Sequence, residues 1–234
     1  MRFPMSELRI ALVAEGPTDY VLIEAALKAV LPQPFILTQL QPEATRPDLG
    51  QGWSGVLKWC QAASQRHQGP LELDPTLLGF DLLILHLDVD VSTMAYHDCG
   101  PETAALAQQL GWEHLPCAVM CPPVSDTVSA LTTVVHSWLR PATTGQQTVL
   151  CLPAQSSGTW LAAALLPATH RLLTNTECNL GVENGLAILP KAERVKKNRR
   201  EYQAKAADLT ANWEKVKAIC SQAQVFEHDI LGAL

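Results

Sequence analysis

Short apolar runs alternate with helix-patterned segments along most of the chain, and this alternation is the strongest constraint on its fold. The runs of strand length are residues 8–14, 35–40, 81–88, 117–121 and 148–153. The letters LLIL within the third run are apolar on both faces, as expected for a strand that helices cover on both sides. Strands that alternate with helices predict an α/β fold with a parallel central sheet flanked by helices.

The segments between these runs carry apolar residues at helical spacing. Helices are predicted over residues 18–30, 53–67, 101–110, 126–140 and 159–166. Thr18 is placed to cap the first of them, with Pro17 before it. In the last third, apolar residues recur at steps of four and three from Tyr202 to Ala223, which predicts one long amphipathic helix. We therefore expect an α/β domain over residues 1–155 and a helical C-terminal region over 156–234 that packs on it.

The composition predicts a sizeable core and no membrane span. Hydrophobic residues fill 47% of the 234 positions, and no apolar run approaches the roughly 18 residues that a membrane-spanning helix needs. The apolar run near the N-terminus has no small-residue cleavage site, so we interpret it as a strand and not as a signal peptide. The seven cysteines are scattered among apolar residues, which favours buried reduced thiols and a cytoplasmic location.

The charge of the chain is unevenly distributed. The net charge of −6 argues against a protein that is basic overall and binds nucleic acid through that charge. Residues 191–205, however, contain seven Lys or Arg residues and two Glu residues. The simpler interpretation of this basic arm is a solvated helix face. The alternative is an arm that faces phosphates beside an acidic site.

Acidic residues follow two of the predicted strands at the point where each strand ends. Glu15 follows the first run, and Asp88 and Asp90 end the third. The carboxyl ends of parallel strands lie at one edge of a sheet, so these three carboxylates converge if the two strands are neighbours. Carboxylates held close together repel one another, and a divalent cation removes that repulsion. Ligation by oxygen alone favours Mg²⁺ or Mn²⁺ over zinc. His86, within the strand, is expected to be a buried core histidine and not a base.

Two short motifs resemble a known domain. The stretch EGPTDYVLI at 15–23, followed after a helix–strand–helix passage by LDVD at 87–90, resembles the Toprim domain of topoisomerases, primases and OLD-type nucleases. The resemblance covers about residues 8–125. It implies a compact Toprim-like α/β fold with a parallel central sheet.

The resemblance also implies roles for the residues of the two motifs. Glu15 would be a metal ligand or a general acid/base, and Asp88 and Asp90 would hold Mg²⁺. Asp19 matches the second acidic position of the first motif and would also be a metal ligand. Gly16 would permit the tight turn after the strand and contribute to phosphate binding.

The chain is also similar to small stand-alone bacterial Toprim-type proteins that are grouped with OLD-like nucleases and phage-defence genes. Some of these carry an acid just before a Trp-Leu pair, whereas QSSGTWLAAAL has none before Trp160. Ser156 and Ser157 could bind phosphate or a metal-bound water there. OLD-like nucleases also use a late lysine, a role that Lys196 or Lys197 could fill. Glu183 is a late acid that could complete a second metal site.

These features predict a metal-dependent phosphodiester nuclease acting on DNA or RNA, with phage defence as the implied setting. The basic residues Lys196, Lys197, Arg199 and Arg200 would bind nucleic-acid phosphates. Two alternatives stay open. One is a catalytically inactive Toprim-like binding or regulatory subunit of a defence complex, whose partner would be an adjacent ATPase or another subunit. The other is a phosphoryl or nucleotidyl transferase acting on a small molecule. The terminal apolar seam could also pack against a second copy and form a homodimer.

Overall fold

The central sheet contains four parallel strands. The computed structural model describes residues 7–43 and 50–234. In chain order, the strands of the central sheet are β1 (Leu8–Val13), β2 (Phe35–Gln41), β3 (Leu82–His86) and β4 (Thr148–Cys151). Their spatial order is β2-β1-β3-β4, and each neighbouring pair is parallel. The predicted α/β fold with a parallel central sheet is therefore confirmed.

Helices cover both faces of this sheet. Their bounds are α1 (Pro17–Val30), α2 (Gly52–Arg66), α3 (Pro101–Leu110), α4 (Ser125–Leu139), α5 (Gly158–Leu165), α6 (Val182–Ala187), α7 (Arg199–Ala211), α8 (Trp213–Ile219) and α9 (Ser221–Gly232). A separate pair of two-residue strands joins Gly69–Pro70 to Ala142–Thr143. The predicted helices between the strands all form, with ends shifted by about one residue.

The core consists of two apolar layers, one on each face of the sheet. Side chains alternate across a strand, so Ile10 and Leu12 of β1 face one layer while Ala11 and Val13 face the other. The first layer contains α1, α5 and the C-terminal helices, and the second contains α2 and α4. The run LLIL in β3 is divided between the two layers in the same way, which explains why it is continuously apolar.

The start of α1 differs from the prediction. Pro17 is the first helical residue, and Gly16 is the N-cap without a side-chain hydrogen bond. Thr18 therefore lies inside the first turn and does not cap the helix. Proline suits the first helical position because its missing N–H would have no partner in the helix there.

The predicted strand at 117–121 does not form. The amide nitrogens of Cys117 and Ala118 both donate to the carbonyl oxygen of Ser92, at 2.8 and 3.0 Å. Val119 and Met120 are 46% and 86% exposed. The position beside β3 belongs to β4, and the amide groups of this segment bond to Ser92 instead of to a strand. This apolar run is consequently part of a loop.

The predicted long C-terminal helix is divided into three. Non-helical backbone at Asn212 and Cys220 separates α7, α8 and α9. The apolar seam is nevertheless buried, because the breaks let it fold over α1 and α5. The indole of Trp213 in α8 packs against that of Trp160 in α5, with ring centroids 5.4 Å apart. The hydroxyl of Thr210 also donates to the carbonyl oxygen of Ala25 in α1, at 2.8 Å.

The cysteines are not all reduced, which differs from the prediction. Cys121 and Cys178 form a disulfide, whereas the cysteines at positions 60, 99, 117, 151 and 220 are free. The two bridged residues are 57 positions apart, and each lies in a connecting segment, so only the folded chain brings them together. Within residues 7–43 and 50–234, no helix is both long enough and apolar enough to cross a membrane.

Candidate metal centre at the carboxyl edge of the sheet

Three side chains converge where β1 and β3 end. Glu15, His86 and Asp88 each present one ligand atom, and these atoms all lie within 4.8 Å of one another. The strand register explains the convergence, because Val13 of β1 pairs with Leu85 of β3. The backbone N–H of Asp88 donates to Oε1 of Glu15 at 2.7 Å, which fixes the two strand ends relative to each other.

His86 is buried, as predicted, but its ring belongs to the acidic cluster. Its Nε2 lies 3.2 Å from Oδ1 of Asp88, without the alignment of a hydrogen bond. Within the described part of the chain, neither ring nitrogen has a hydrogen-bond partner. The sequence contains a signal for this position, since residues two apart along an extended chain point to the same side. The apolar run around the histidine outweighs that signal and favours a core assignment instead.

The cluster holds more negative charge than it can balance. Burial, Asp88 and Asp19 raise the pKa of Glu15 well above its usual value, against the opposing effects of His86 and the Asp88 amide. Burial and Asp19 likewise raise the pKa of Asp88. Burial alone would lower the pKa of His86, but the neighbouring carboxylates of Asp19, Asp88 and Glu15 raise it to about 9. Protons or a bound cation would relieve this excess charge.

Ser157 connects two of the acids. Its hydroxyl donates to Oδ1 of Asp19 at 2.6 Å, and its backbone N–H donates to Oδ1 of Asp88 at 2.9 Å. Asp19 projects from the first turn of α1 and is buried. Ser156 is buried beside Ser157. The serine predicted to bind phosphate therefore fixes the acids of the cluster in place.

Asp90 lies close to the cluster but outside the three-residue group. Because β3 ends at His86, Asp90 falls in a 3₁₀ turn over Val89–Thr93 and is not the second of two aspartates on one strand. Its backbone N–H donates to the carbonyl oxygen of Gln155 at 3.0 Å. Burial, followed by the charge of Asp88, raises the pKa of Asp90 to about 7. Its carboxylate thus contributes to the same crowded electric field.

The last third of the chain brings a lysine and a glutamate to this edge. Nζ of Lys197 lies 2.8 Å from Oε2 of Glu183, and the hydroxyl of Tyr202 donates to Oε1 of Glu183 at 2.5 Å. Burial opposes the charged form of Lys197, but Glu183, Asp88 and Asp19 raise its pKa above the usual value. Lys197 therefore lies within electrostatic reach of the cluster.

Glu183 packs against the start of α5. A Cβ atom added at Gly158 would lie 2.5 Å from Oε1 of Glu183. This is the helix start at which the sequence lacks an acid before Trp160. A carboxylate from α6 is therefore present beside that position, although it comes from a later part of the chain.

The remaining predicted site residues have weaker connections to the cluster. A Cβ atom at Gly16 would lie 3.4 Å from Oδ2 of Asp19, an ordinary van der Waals contact, and the backbone at Gly16 is extended, so neither the turn nor the packing there requires glycine. Lys196, Arg199 and Arg200 are exposed. In residues 7–43 and 50–234, no hydrogen bond or salt bridge joins the side chains of these three to the acidic cluster. Of the two candidate lysines, Lys197 is the one that the fold places at the site.

Two residues of this region are not predicted to belong to the site. The two-residue spacing between His86 and Asp88 is a signal that identifies His86. Tyr202 belongs to the apolar seam by its spacing, and nothing in the sequence links its hydroxyl to Glu183, which is 19 residues earlier.

Comparisons with known proteins add no assignment. No family model matches the chain, and searches of curated proteins and of solved structures return no match either. The Toprim resemblance therefore depends on the two short motifs alone.

Proposed function

We propose that this chain is a metal-dependent phosphodiester nuclease of Toprim-like type that acts on DNA or RNA. The observation that carries the proposal is the convergence of Glu15, His86 and Asp88 at the carboxyl edge of a parallel sheet. Ligands in open α/β sheets bind at this edge.

The residues present fit a divalent cation. Glu15 and Asp88 would hold Mg²⁺ or Mn²⁺, with Asp19 and Asp90 adding negative charge close by. A cation held in this way stabilises charge on a phosphoryl group and lowers the pKa of a bound water. Burial and neighbouring acids raise the pKa values of Glu15 and Asp88, and a bound cation would stabilise their ionised forms.

Lys197 is the residue we expect to contact a substrate phosphate. Its side chain is 47% exposed, so its ammonium group can be reached from solvent, while Glu183 and Tyr202 restrict where it lies. A lysine ammonium is an effective point charge for phosphate oxygens. Ser157 fixes Asp19 and Asp88 and so keeps the acids in place before substrate binds.

Cleavage of labelled DNA and RNA in Mg²⁺ or Mn²⁺ tests the proposal. We expect Asp88→Asn and Lys197→Met each to lower the rate by about 100-fold or more, the usual cost of removing one electrostatic contact to a reacting group. Lys191→Met is the matched control for the lysine, because it removes an exposed charge from the same arm. Absence of cleavage of both nucleic acids with both metals contradicts the proposal. If the parent then binds nucleic acid, the inactive binding module becomes the better interpretation.

The salt dependence of binding tests the basic arm separately. Each phosphate that a cationic side chain neutralises adds about 0.7 to 0.9 to the magnitude of the slope of the logarithm of the binding constant plotted against the logarithm of the salt concentration. We expect the slope to become shallower by several units when Gln replaces Lys196, Lys197, Arg199 and Arg200. A control variant with the same change in net charge carries Gln at Lys28, Lys58, Arg140 and Arg171, which are outside the arm. Equal effects of the two quadruple variants would show that only net charge matters.

The cytoplasm is the proposed location of this activity; the five free cysteines support it, and the Cys121–Cys178 disulfide argues against it. Fractionation of cells that express the chain tests this location. Alkylation of free thiols in the intact cells before lysis shows whether Cys121 and Cys178 are bridged there.

A further inference from the structure

His86 is the group at this edge whose environment is least explained. The side chain is fully buried, and neither ring nitrogen has a hydrogen-bond partner among the described residues. A buried polar group without a partner is costly, so native proteins rarely leave one unsatisfied. Here Nδ1 has no hydrogen-bond partner among the described residues, and Nε2 has only the 3.2 Å ion-pair contact to Asp88.

Two states of the ring could account for this environment. A protonated imidazolium would balance some of the surrounding charge, but it needs partners for two N–H groups. Within residues 7–43 and 50–234, Nδ1 has none, and Nε2 approaches Asp88 without hydrogen-bond alignment. A neutral imidazole has a single N–H that needs an acceptor and a single lone pair that a metal ion can take, so it leaves one polar group fewer to satisfy than the imidazolium. The ligand atoms of Glu15 and Asp88 lie within 4.8 Å of the ring nitrogen, close enough for the three groups to share one ion.

We propose that His86 is a metal ligand together with Glu15 and Asp88, and that this set of one nitrogen and two carboxylates makes the centre prefer Mn²⁺ over Mg²⁺. The inference rests on the proposed metal site but not on nuclease activity. Mg²⁺ selects oxygen ligands and retains several waters, whereas imidazole suits divalent transition metals. The motifs alone implied a set of carboxylate ligands, to which the fold adds a nitrogen.

Calorimetric titration of the metal-free full chain with MnCl₂ and with MgCl₂ tests the preference. We expect the parent to bind Mn²⁺ at least about tenfold more tightly than Mg²⁺. His86→Gln should weaken Mn²⁺ binding by about tenfold or more and change Mg²⁺ binding much less, so that the preference is lost. His97→Gln is the matched control, because His97 is exposed and lies outside the cluster. Equal affinities of the parent for the two ions would overturn the inference.

A spectroscopic measurement on the parent removes the dependence on a buried variant that could fail to fold. Electron spin-echo modulation of the Mn²⁺-loaded chain detects a directly bound imidazole nitrogen, and ¹⁵N-histidine labelling identifies it. We expect this coupling in the parent and in His97→Gln. Its absence would overturn the ligand assignment, and His86 would then be a charged partner of the carboxylates.

The two proposals fail in different ways. Nitrogen coupling and Mn²⁺ preference without cleavage would support the ligand assignment and contradict the nuclease. Cleavage that depends on Asp88, with no nitrogen coupling and no Mn²⁺ preference, would support the nuclease and contradict the role of His86.

Discussion

The contact between Gly158 and Glu183 gives the sharpest stability prediction. A Cβ atom at Gly158 would lie 2.5 Å from Oε1, 2.9 Å from Cδ and 2.9 Å from Cγ of Glu183. Real Cβ atoms do not approach other atoms so closely, so the Glu183 side chain would have to move in Gly158→Ala. Its carboxylate is held on both sides, by Lys197 and by Tyr202, and moving it would disturb both contacts.

The expected cost follows from two opposing effects. Overpacking of this kind destabilises a protein by about 1 to 3 kcal/mol. Replacing glycine by alanine in a helix stabilises it by up to about 1 kcal/mol. We therefore expect Gly158→Ala to lower the free energy of unfolding by about 1 to 2 kcal/mol. For a chain of this length, each kcal/mol corresponds to about 2 to 4 °C in melting temperature.

Urea denaturation of four variants measures this cost and identifies its source. Gly232→Ala is the matched control, because it lies in a helix with no atom within 4 Å of an added Cβ, and it should be neutral or slightly stabilising. In a Glu183→Ala background the clash is removed, so Gly158→Ala should cost little there. An equal cost in both backgrounds would refute the packing argument. So would a Gly158→Ala protein as stable as Gly232→Ala.

Three further predictions concern charge and cross-linking. Asp90→Asn should keep or raise the melting temperature of the metal-free protein, and the rise should be larger at pH 8 than at pH 4. The pKa of Asp90 is raised from 3.8 to about 7, so ionising this side chain costs stability as the pH rises above 3.8. A clear drop in the melting temperature of the variant in EDTA at pH 8 would instead give Asp90 a structural role. Burial would raise the pKa of Asp74, but hydrogen bonds from Thr76 and Arg66 outweigh burial and lower the pKa. The stability that Asp74 contributes is therefore present above its ordinary pKa of 3.8 and is lost as the pH falls below that value. Asp74→Asn should therefore cost about 2 kcal/mol at pH 7 and much less at pH 2 to 3 in urea titrations, and a pH-independent difference would contradict this. Replacing Cys121 and Cys178 by serine should lower the free energy of unfolding by about 4 kcal/mol, because the disulfide restricts the unfolded chain by closing a loop of this length. If reducing the disulfide of the parent leaves its melting temperature unchanged, this prediction is wrong.

The sequence by itself determined that parallel strands alternate with helices, but not the order of the strands in the sheet. Strands β1 and β3 and the division of their side chains between two core layers follow from local alternation and apolarity, which need no knowledge of distant residues. Because parallel strands share one carboxyl edge, the sequence also predicted that Glu15 and Asp88 would meet if β1 and β3 were neighbours, and the structure pairs those two strands.

Local pattern failed where a segment's structure depends on its neighbours. Residues 117–121 have the letters of a strand, but the sheet position beside β3 belongs to β4. The seam from Tyr202 to Ala223 keeps helical spacing across two breaks, because spacing records burial and not the continuity of a helix.

Only the tertiary structure decided which distant residues complete the site. It placed Lys197 and not Lys196 beside Glu183, set Glu183 against Gly158, and joined Cys121 to Cys178. It also turned the ring of His86 into the acidic cluster. These contacts depend on where the loops return the chain in space. The spacing of residues along a single sequence does not show which distant segments the loops bring together.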